Sequence, residues 1–207
     1  MDGTSFALNG QNVSYRFHVD QETGDLITDH FGGPVTETPP APIELNSGGW
    51  STAAHFRREF PDAGRGDFRV PAVQITQAEG HAVCDFRYKS HEVLDGKPGL
   101  EGLPATFGGE GDVKTLVVKL YDEVSKVAAD LSYSVFPKLD AIARSVKITN
   151  EGSEGIVIDR LSTSVDLPYD EYDMLALHGE WSRERTRVRR KVAPGVQGYV
   201  LSLSLFH

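Results

Sequence analysis

The feature that most constrains this chain is a period-two alternation of apolar and polar residues, which recurs in short segments along most of its length. Near the N-terminus the apolar members of the pattern are Val13, Tyr15, Phe17 and Val19. Because side chains two apart lie on the same face of a strand, this pattern predicts a strand with one buried face. Leu26 and Ile27 follow a turn-like Glu-Thr-Gly-Asp segment, which predicts a first hairpin.

Further strands are predicted along the rest of the chain. They cover 70–75, 83–88, 91–94, 116–120, 127–135, 142–148 and 156–165. The stretch 121–131 also fits a helical face, but its strand-rich neighbours favour a hairpin there. Asn150-Glu151-Gly152 is a further hairpin turn signal. Ten or more short strands separated by turns predict an all-β fold, an antiparallel β-sandwich within a single domain.

Two segments rich in glycine and proline interrupt the strands, at 32–50 and 95–107. The first is unusually long for a compact domain, and long loops of this kind are commonly functional or disordered. It carries Trp50, one of two tryptophans in the chain.

Composition and charge exclude several classes of protein. The chain has 207 residues, of which 39% are hydrophobic, and a chain of this size and composition can bury a hydrophobic core. Its net charge of −9 argues against a general nucleic-acid binder, which needs a basic surface to neutralise phosphates. Residues 183–191 hold six basic residues and one acidic residue, and we interpret them as a stripe that pairs with acidic protein surface. No apolar run approaches the roughly 18 residues that a membrane span needs. No secretory signal is visible, which favours an intracellular site without fixing the localisation.

Residues that could carry chemistry are few. Cys84 is the single cysteine, so no disulfide forms within the chain, and its strand context predicts a small buried hydrophobe. The seven histidines lack the spacing of a metal site. We therefore expect no metal and no cofactor.

A group of acidic and aromatic residues follows the strand predicted at 156–165. It consists of Asp166, Tyr169, Asp170, Glu171, Tyr172, Asp173 and Trp181. Aromatic rings beside carboxylates are typical of sugar-binding sites, because a ring covers apolar C–H faces while acids accept hydroxyl protons. Solvated loop acids are the favoured interpretation of the carboxylates, and Trp and Tyr are as often core residues as sugar-binding ones.

Four long segments resemble one known family. They are DFRVPAVQI (67–75), RYKSHEVLDGKPGLEGLPATF (87–107), STSVDLPYDEYDMLALHGEWSRER (162–185) and VAPGVQG (192–198). Together they are similar to the N-terminal domain of the retaining α-galactosidases of glycoside hydrolase family 36. The resemblance covers residues 5–198 and leaves 199–207 as a divergent tail.

The resemblance implies a non-catalytic N-terminal β-supersandwich, incomplete at its C-terminus here. In the family a (β/α)8 barrel and a small C-terminal β-domain follow it. Such enzymes remove terminal α-galactose from raffinose-type oligosaccharides, melibiose and galactomannan by double displacement, and many are homotetramers. Both catalytic aspartates belong to the barrel, so no residue here inherits a catalytic role. The implied partners are α-galactoside oligosaccharides and further copies of the chain, with neither nucleic acid nor membrane.

The resemblance also implies candidate sugar-binding residues in this sequence. Tyr172 falls in the stretch that lies near the outer sugar subsite of the family, and Trp50 falls in a segment that resembles its lid-like loop. Asp170, Asp173 and Trp181 are further candidates for the same subsite, although a structural role is the favoured alternative for Trp181. By the period-two rule, one strand face carries Arg183, Arg185, Arg187 and Arg189.

The tail reads YVLSLSLFH, in which leucines alternate with serines as in a strand. It lacks residues of the family, which favours a gene-model truncation over a genuine short product. The resemblance implies that this domain contributes to subunit assembly and to the outer sugar subsites of the enzyme. Two alternatives to this role stay open: a free-standing carbohydrate-binding module, and a truncated product without activity of its own.

Overall fold

The computed structural model describes residues 4–35, 57–63, 66–67, 69–102, 105–165, 172–179 and 182–193. Within these ranges the chain forms eleven β-strands and one 3-10 turn at Pro137–Leu139, and no α-helix. No helix in these ranges is long and apolar enough to cross a membrane. The contacts divide the chain into two units, residues 1–166 and 167–207, which are described in turn.

Three antiparallel sheets make up the first unit. One has the order β1 (Ser5–Asn9), β2 (Ser14–Val19), β3 (Leu26–Gly32). The second pairs β4 (Val73–Gln77) with β9 (Ile156–Leu161). The third has the order β5 (Arg87–Asp95), β6 (Lys114–Asp122), β7 (Val127–Phe136), β8 (Ala141–Asn150).

The core lies between the three-stranded and the four-stranded sheet. Phe17 of β2 faces Tyr133 of β7, with ring centroids 5.0 Å apart, and both side chains are fully buried. Within the larger sheet Leu116 lies opposite Tyr133 and Val118 opposite Leu131, so these apolar residues share the buried face. The structure confirms the predicted antiparallel β-sandwich.

The hairpin predicted across 121–131 is also confirmed. Strands β6 and β7 pair from Lys114 opposite Val135 to Asp122 opposite Val127. The Asp122 carboxylate accepts hydrogen bonds from the backbone N–H groups of Val124 and Ser125, at 2.9 and 3.2 Å, and so closes the turn.

Some strand boundaries differ from the sequence prediction. Residues 83–86 lie outside any strand, and 87–95 form the single strand β5 where two were predicted. Strand β4 begins at Val73, beyond Pro71, which has no N–H to donate. Strand β9 ends at Leu161, short of the predicted residue 165.

The turn after β8 is not a hairpin turn, which corrects a second prediction. The Asn150 side chain accepts a hydrogen bond from the Gly152 N–H at 3.0 Å, but β9 then leaves the four-stranded sheet and pairs with β4. Strand β1, for which no prediction was made, pairs with β2 from Ser5 opposite His18 to Asn9 opposite Ser14.

The described part of the second unit is one antiparallel pair, β10 (Asp173–His178) with β11 (Thr186–Lys191). Asp173 lies opposite Lys191 and Leu175 opposite Arg189. Residues directly opposite one another share a face, so acidic, apolar and basic side chains stand together on one side of this pair.

Candidate functional site

Tyr172 and Asp173 are the candidate binding residues that the structure describes, and they stand at the start of β10. Trp50, Asp170 and Trp181, proposed for the same subsite, lie outside the described residues. The described part of the candidate site is therefore the β10–β11 hairpin, at whose start these two residues stand.

Asp173 is held by two cations of the facing strand. Its Oδ2 lies 2.6 Å from Arg189 Nε and 2.5 Å from Arg189 Nη2, and its Oδ1 lies 3.2 Å from Lys191 Nζ. Hydrogen bonds from Lys191 and Arg189 hold the pKa of Asp173 below its usual range. Both oxygens of an ionised Asp173 thus fasten β10 to β11, and a sugar hydroxyl would have to share them with these cations.

Tyr172 combines a fixed backbone with an accessible side chain. Its carbonyl accepts a hydrogen bond from the Val192 N–H at 2.9 Å, which extends the β10–β11 pairing by one step. The residue is 37% exposed. An anchored, accessible tyrosine can cover the apolar face of a sugar ring and keep its hydroxyl for a hydrogen bond.

The predicted row of four arginines is wrong in part. Strand β11 begins at Thr186, and Arg185 has a φ of 63°, so Arg183 and Arg185 lie in the turn before the strand. The row that shares a face is Arg187, Arg189 and Lys191. The prediction failed because it applied the period-two rule of strands to Arg183 and Arg185, which lie in a turn. The charge of this row is balanced in part within the hairpin, by Asp173.

Sequence analysis missed a deeply buried polar cluster, which centres on Glu59. Its Oε1 accepts hydrogen bonds from Tyr15 Oη at 2.5 Å and from the Thr28 hydroxyl. Its Oε2 accepts from Tyr133 Oη at 2.9 Å and from Arg144 Nη2 at 3.2 Å. Glu59 is 1% exposed. Four donors therefore compensate a carboxylate that would be very costly to bury alone.

Arg58, the neighbouring residue, is buried among carboxylates. Its guanidinium lies 3.2 Å from Asp25, 2.8 Å from Asp62 and 3.6 Å from Asp67. The backbone beside it joins β3, because the Thr28 N–H donates to the Arg57 carbonyl at 2.7 Å and the Glu59 N–H to the Leu26 carbonyl at 2.9 Å. Residues 57–59 are thereby fixed to the sandwich through both side chains and main chain.

The chemistry of the Glu59 cluster is structural. Burial, followed by the charge of Glu59, raises the pKa values of Tyr15 and Tyr133 far above the usual value, so both stay protonated as donors. The central carboxylate is shielded from solvent, with Glu59 1% exposed and the Arg144 side chain 12% exposed, and four donors described in the structure occupy it. Cys84 is similarly inert: it is 1% exposed, and burial raises the pKa of its thiol to about 11. This confirms its predicted burial.

Comparison with known proteins identifies the family. Residues 24–200 match the Glycosyl hydrolase family 36 N-terminal domain. The chain belongs to this family. The resemblance drawn from the four sequence segments is confirmed.

The relatives of this family 36 domain are much longer proteins. It is 61% identical over 206 residues to "Alpha-galactosidase 2" of Hypocrea jecorina, covering 96% of this chain and 27% of that protein. It is 56% identical over 201 residues to "Alpha-galactosidase C" of Emericella nidulans, with the same coverage. The chain thus spans about a quarter of the length of the curated relatives that it matches.

Solved structures give the same relationship. The α-galactosidase AgaA of Geobacillus stearothermophilus superposes with a TM-score of 0.87 at 33% identity, over 94% of this chain and 29% of AgaA. The α-galactosidase of Lactobacillus brevis gives a TM-score of 0.83 at 35% identity, over 93% and 28% of the two chains. The fold of this family 36 domain is that of a segment within larger α-galactosidases.

One signal for the buried cluster of the family 36 domain was present in the sequence. Arg144 occupies the same strand face as Ile142, Val146 and Ile148, and it lies opposite Tyr133. A charged residue on an otherwise apolar strand face indicates a buried partner of opposite charge. Nothing local pointed to Glu59 as that partner, because the two are 85 residues apart.

Proposed function

We propose that this chain acts as the non-catalytic N-terminal β-supersandwich, residues 5–198, of a retaining α-galactosidase. The observation that carries the proposal is the 61% identity to an α-galactosidase along 96% of the chain. The parent enzyme would remove terminal α-galactosyl groups from raffinose-type oligosaccharides, melibiose and galactomannan. The solved complexes of AgaA with raffinose and with stachyose support this substrate class.

Within that enzyme the chain would contribute to subunit assembly and to outer sugar subsites. For the subsite role, Tyr172 is supported by its accessible side chain and fixed backbone. Trp50, Asp170, Asp173 and Trp181 are proposed for the same subsite. For assembly into a homo-oligomer, such as a tetramer, support comes from Leu175 and Leu177, which are 63% and 59% exposed on β10. Exposed leucines beside a cationic row are typical of contact surfaces.

Hydrolysis by the purified chain tests its non-catalytic status. We expect no turnover of an aryl α-galactoside, because the carboxylate pair that the reaction needs would belong to the barrel. Turnover that a point substitution within residues 1–207 abolishes would contradict the proposal. A trace activity unaffected by every such substitution would indicate a contaminant and leave the expected result in place.

A hybrid enzyme tests the outer-subsite role of Tyr172. In this hybrid the chain replaces the matching segment of the Hypocrea jecorina α-galactosidase 2. Tyr172→Ala should lower kcat/KM for raffinose by about tenfold, the effect of losing one stacking contact, and leave kcat/KM for an aryl galactoside unchanged. Tyr172→Phe keeps the ring and should retain most of the raffinose activity. Equal losses on both substrates would exclude an outer-subsite role.

A free-standing carbohydrate-binding module is the second candidate function, and the accessible side chain of Tyr172 favours it. Titration of the purified chain with galactose and raffinose, followed by tryptophan fluorescence, separates the two candidates. A saturable change at millimolar sugar that Tyr172→Ala removes would support the module. A flat response would leave the assembly role as the account of the chain.

A further inference from the structure

Three turns of the first unit lie together where strands β4 and β9 begin their pairing. They cover 78–80, 123–126 and 151–155. Gln77, the last residue of β4, lies opposite Ile156, the first residue of β9, so the first turn adjoins the third. The Glu151 N–H donates to the Lys126 carbonyl at 2.8 Å, so the third turn is joined to the second. Strand pairing and a main-chain hydrogen bond therefore fix the three turns to one another.

A cleft of about 300 Å³, which we call the turn cleft, opens between these three turns. Each turn contributes to its lining, which includes Gln77, His81, Ser125, Lys126, Ser153 and Glu154. The second and third turns approach closely, since a Cβ on Gly152 would lie 3.4 Å from the carbonyl oxygen of Ser125. A cleft of this volume is at the small end of ligand sites, and it suits a ligand of about one sugar ring.

Two polar atoms of the lining carry unused hydrogen-bonding capacity. Gln77 Nε2 and Ser125 Oγ are shielded from solvent, and neither makes a hydrogen bond to any residue that the structure describes. Folded proteins rarely keep such atoms without a partner, because an unpaired buried amide or hydroxyl is costly. The last torsion of a glutamine side chain is roughly two-fold, so either the N–H groups or the carbonyl of Gln77 can be turned into the cleft.

The charges of the turn cleft favour a neutral ligand. Glu79 and Glu154 are part of the lining, and they would repel an anion. The cation of the lining, Lys126, is already paired, with its Nζ 3.4 Å from Glu123. A metal ion is not favoured either, since the described ranges hold no group of three or more His, Cys, Asp and Glu side chains that could bind one.

Apolar side chains stand beside the polar ones in the turn cleft. Val124, which is 80% exposed, and Ile156 both contribute to the lining. A sugar ring carries hydroxyls that donate and accept hydrogen bonds, together with apolar C–H groups. It therefore matches a lining that combines an amide, a hydroxyl and aliphatic side chains.

We propose that the turn cleft binds one neutral sugar unit through Gln77 and Ser125, as a carbohydrate site separate from the one proposed around Tyr172. The Gln77 amide donates to one ring hydroxyl, and the Ser125 hydroxyl donates to or accepts from another. Val124 contacts the C–H groups of the ring. Galactose as the probe follows from the proposed function, whereas the binding of a neutral sugar follows from the cleft itself.

Titration of the full chain with D-galactose, followed by amide NMR spectra, tests this proposal. The signals are the backbone N–H groups of Ser125 and Gly152, with Leu131 of the central strand β7 as the reference for global folding. Gln77→Ala removes the amide from the cleft. Gln74→Ala removes the same group three residues earlier on β4, outside the lining, and is the matched control.

We expect the signals of Ser125 and Gly152 to shift saturably, with a Kd on the order of millimolar, because the cleft is small and makes few contacts. The Kd should rise about tenfold in Gln77→Ala and stay unchanged in Gln74→Ala, with Leu131 unmoved in all three chains. Signals that never shift would overturn the proposal and leave ordered water as the partner of the two atoms. An equal Kd in all three chains would overturn it as well.

Ser125→Ala distinguishes a ligand site from a structural one. Because its Oγ bonds to no described residue, the substitution should leave the melting temperature unchanged and still weaken galactose binding. A lower melting temperature with unchanged galactose affinity would assign the hydroxyl to folding and contradict the proposal. Shifts with sodium acetate but none with galactose would contradict it too. The test of Tyr172 follows tryptophan fluorescence, so its result is distinguishable from these.

Discussion

At the scale of single residues, Glu59 ties together parts of the chain that are distant in sequence. Its carboxylate joins Tyr15 of β2, Thr28 of β3, Tyr133 of β7 and Arg144 of β8. It thereby links the two main sheets through one buried group. A buried ion pair does not by itself stabilise a fold, but removing one partner leaves the other uncompensated.

Glu59→Gln should therefore lower the free energy of unfolding by about 3 kcal/mol, because Arg144 would keep a mostly buried charge without its carboxylate. Glu151→Gln is the matched control. Glu151 lies 3.6 Å from Lys119, and both side chains are more than 40% exposed. Its loss should cost about 0.5 kcal/mol or less. Urea denaturation of both variants measures the difference, and equal effects would contradict a structural role of the cluster.

His18 makes one contribution to stability dependent on pH. Its Nδ1 lies 2.8 Å from Asp29 Oδ1, and this hydrogen bond raises the pKa of His18 above its ordinary value, with burial acting in the opposite direction. Because the pKa of His18 is higher in the folded chain than in the unfolded chain, folding stabilises the protonated imidazole. The stabilisation is complete below the unfolded pKa of about 6.5 and is lost as pH rises through the folded value.

The unfolding free energy of the unmodified chain should therefore exceed that of His18→Gln most at about pH 5.5, and the excess should shrink toward about pH 8. Denaturation of both chains across this range measures the difference. An excess that grows with pH would contradict the assigned direction of the pKa shift.

At the scale of elements, the position of strands followed from local sequence far better than their pairing did. Period-two alternation placed β2, β6, β7 and β8, because side-chain burial on one face is a local property. The partner of β9 was not accessible in this way. Strand β9 follows a turn whose residue types are typical of hairpins, but it pairs with β4, some 80 residues earlier, and no local pattern encodes that choice.

Two neighbouring glycines in the turn before β6, Gly108 and Gly109, differ in how much space a side chain would have. A Cβ on Gly108 would lie 2.2 Å from a methyl group of Val113, which is 2% exposed, whereas a Cβ on Gly109 would meet nothing within 4 Å. Gly108→Ala should thus lower the free energy of unfolding by about 1–3 kcal/mol through overpacking. Gly109→Ala should leave it nearly unchanged. Thermal unfolding measures both variants. Equal melting temperatures for Gly108→Ala and Gly109→Ala would contradict the close packing of Gly108 against Val113.

At the scale of the whole molecule, fold class and family could be predicted, but the working geometry of the site could not. The quoted motifs located the family before any contact was known. The role of Asp173 depended on Arg189 and Lys191, which stand opposite it only after the hairpin register is set. The cluster around Glu59 needed five segments to come together: its own segment and the four strands that supply its donors. Such features arise from tertiary contacts, which residue types and spacing do not contain.

The most direct measurement of the central claim is the activity of the hybrid enzyme in which this chain replaces the matching segment of the Hypocrea jecorina α-galactosidase 2. If the chain is the N-terminal domain of an α-galactosidase, kcat/KM for an aryl α-galactoside should stay within about tenfold of the parent enzyme. A hybrid that melts at the temperature of its parent but has lost α-galactosidase activity altogether would contradict the account.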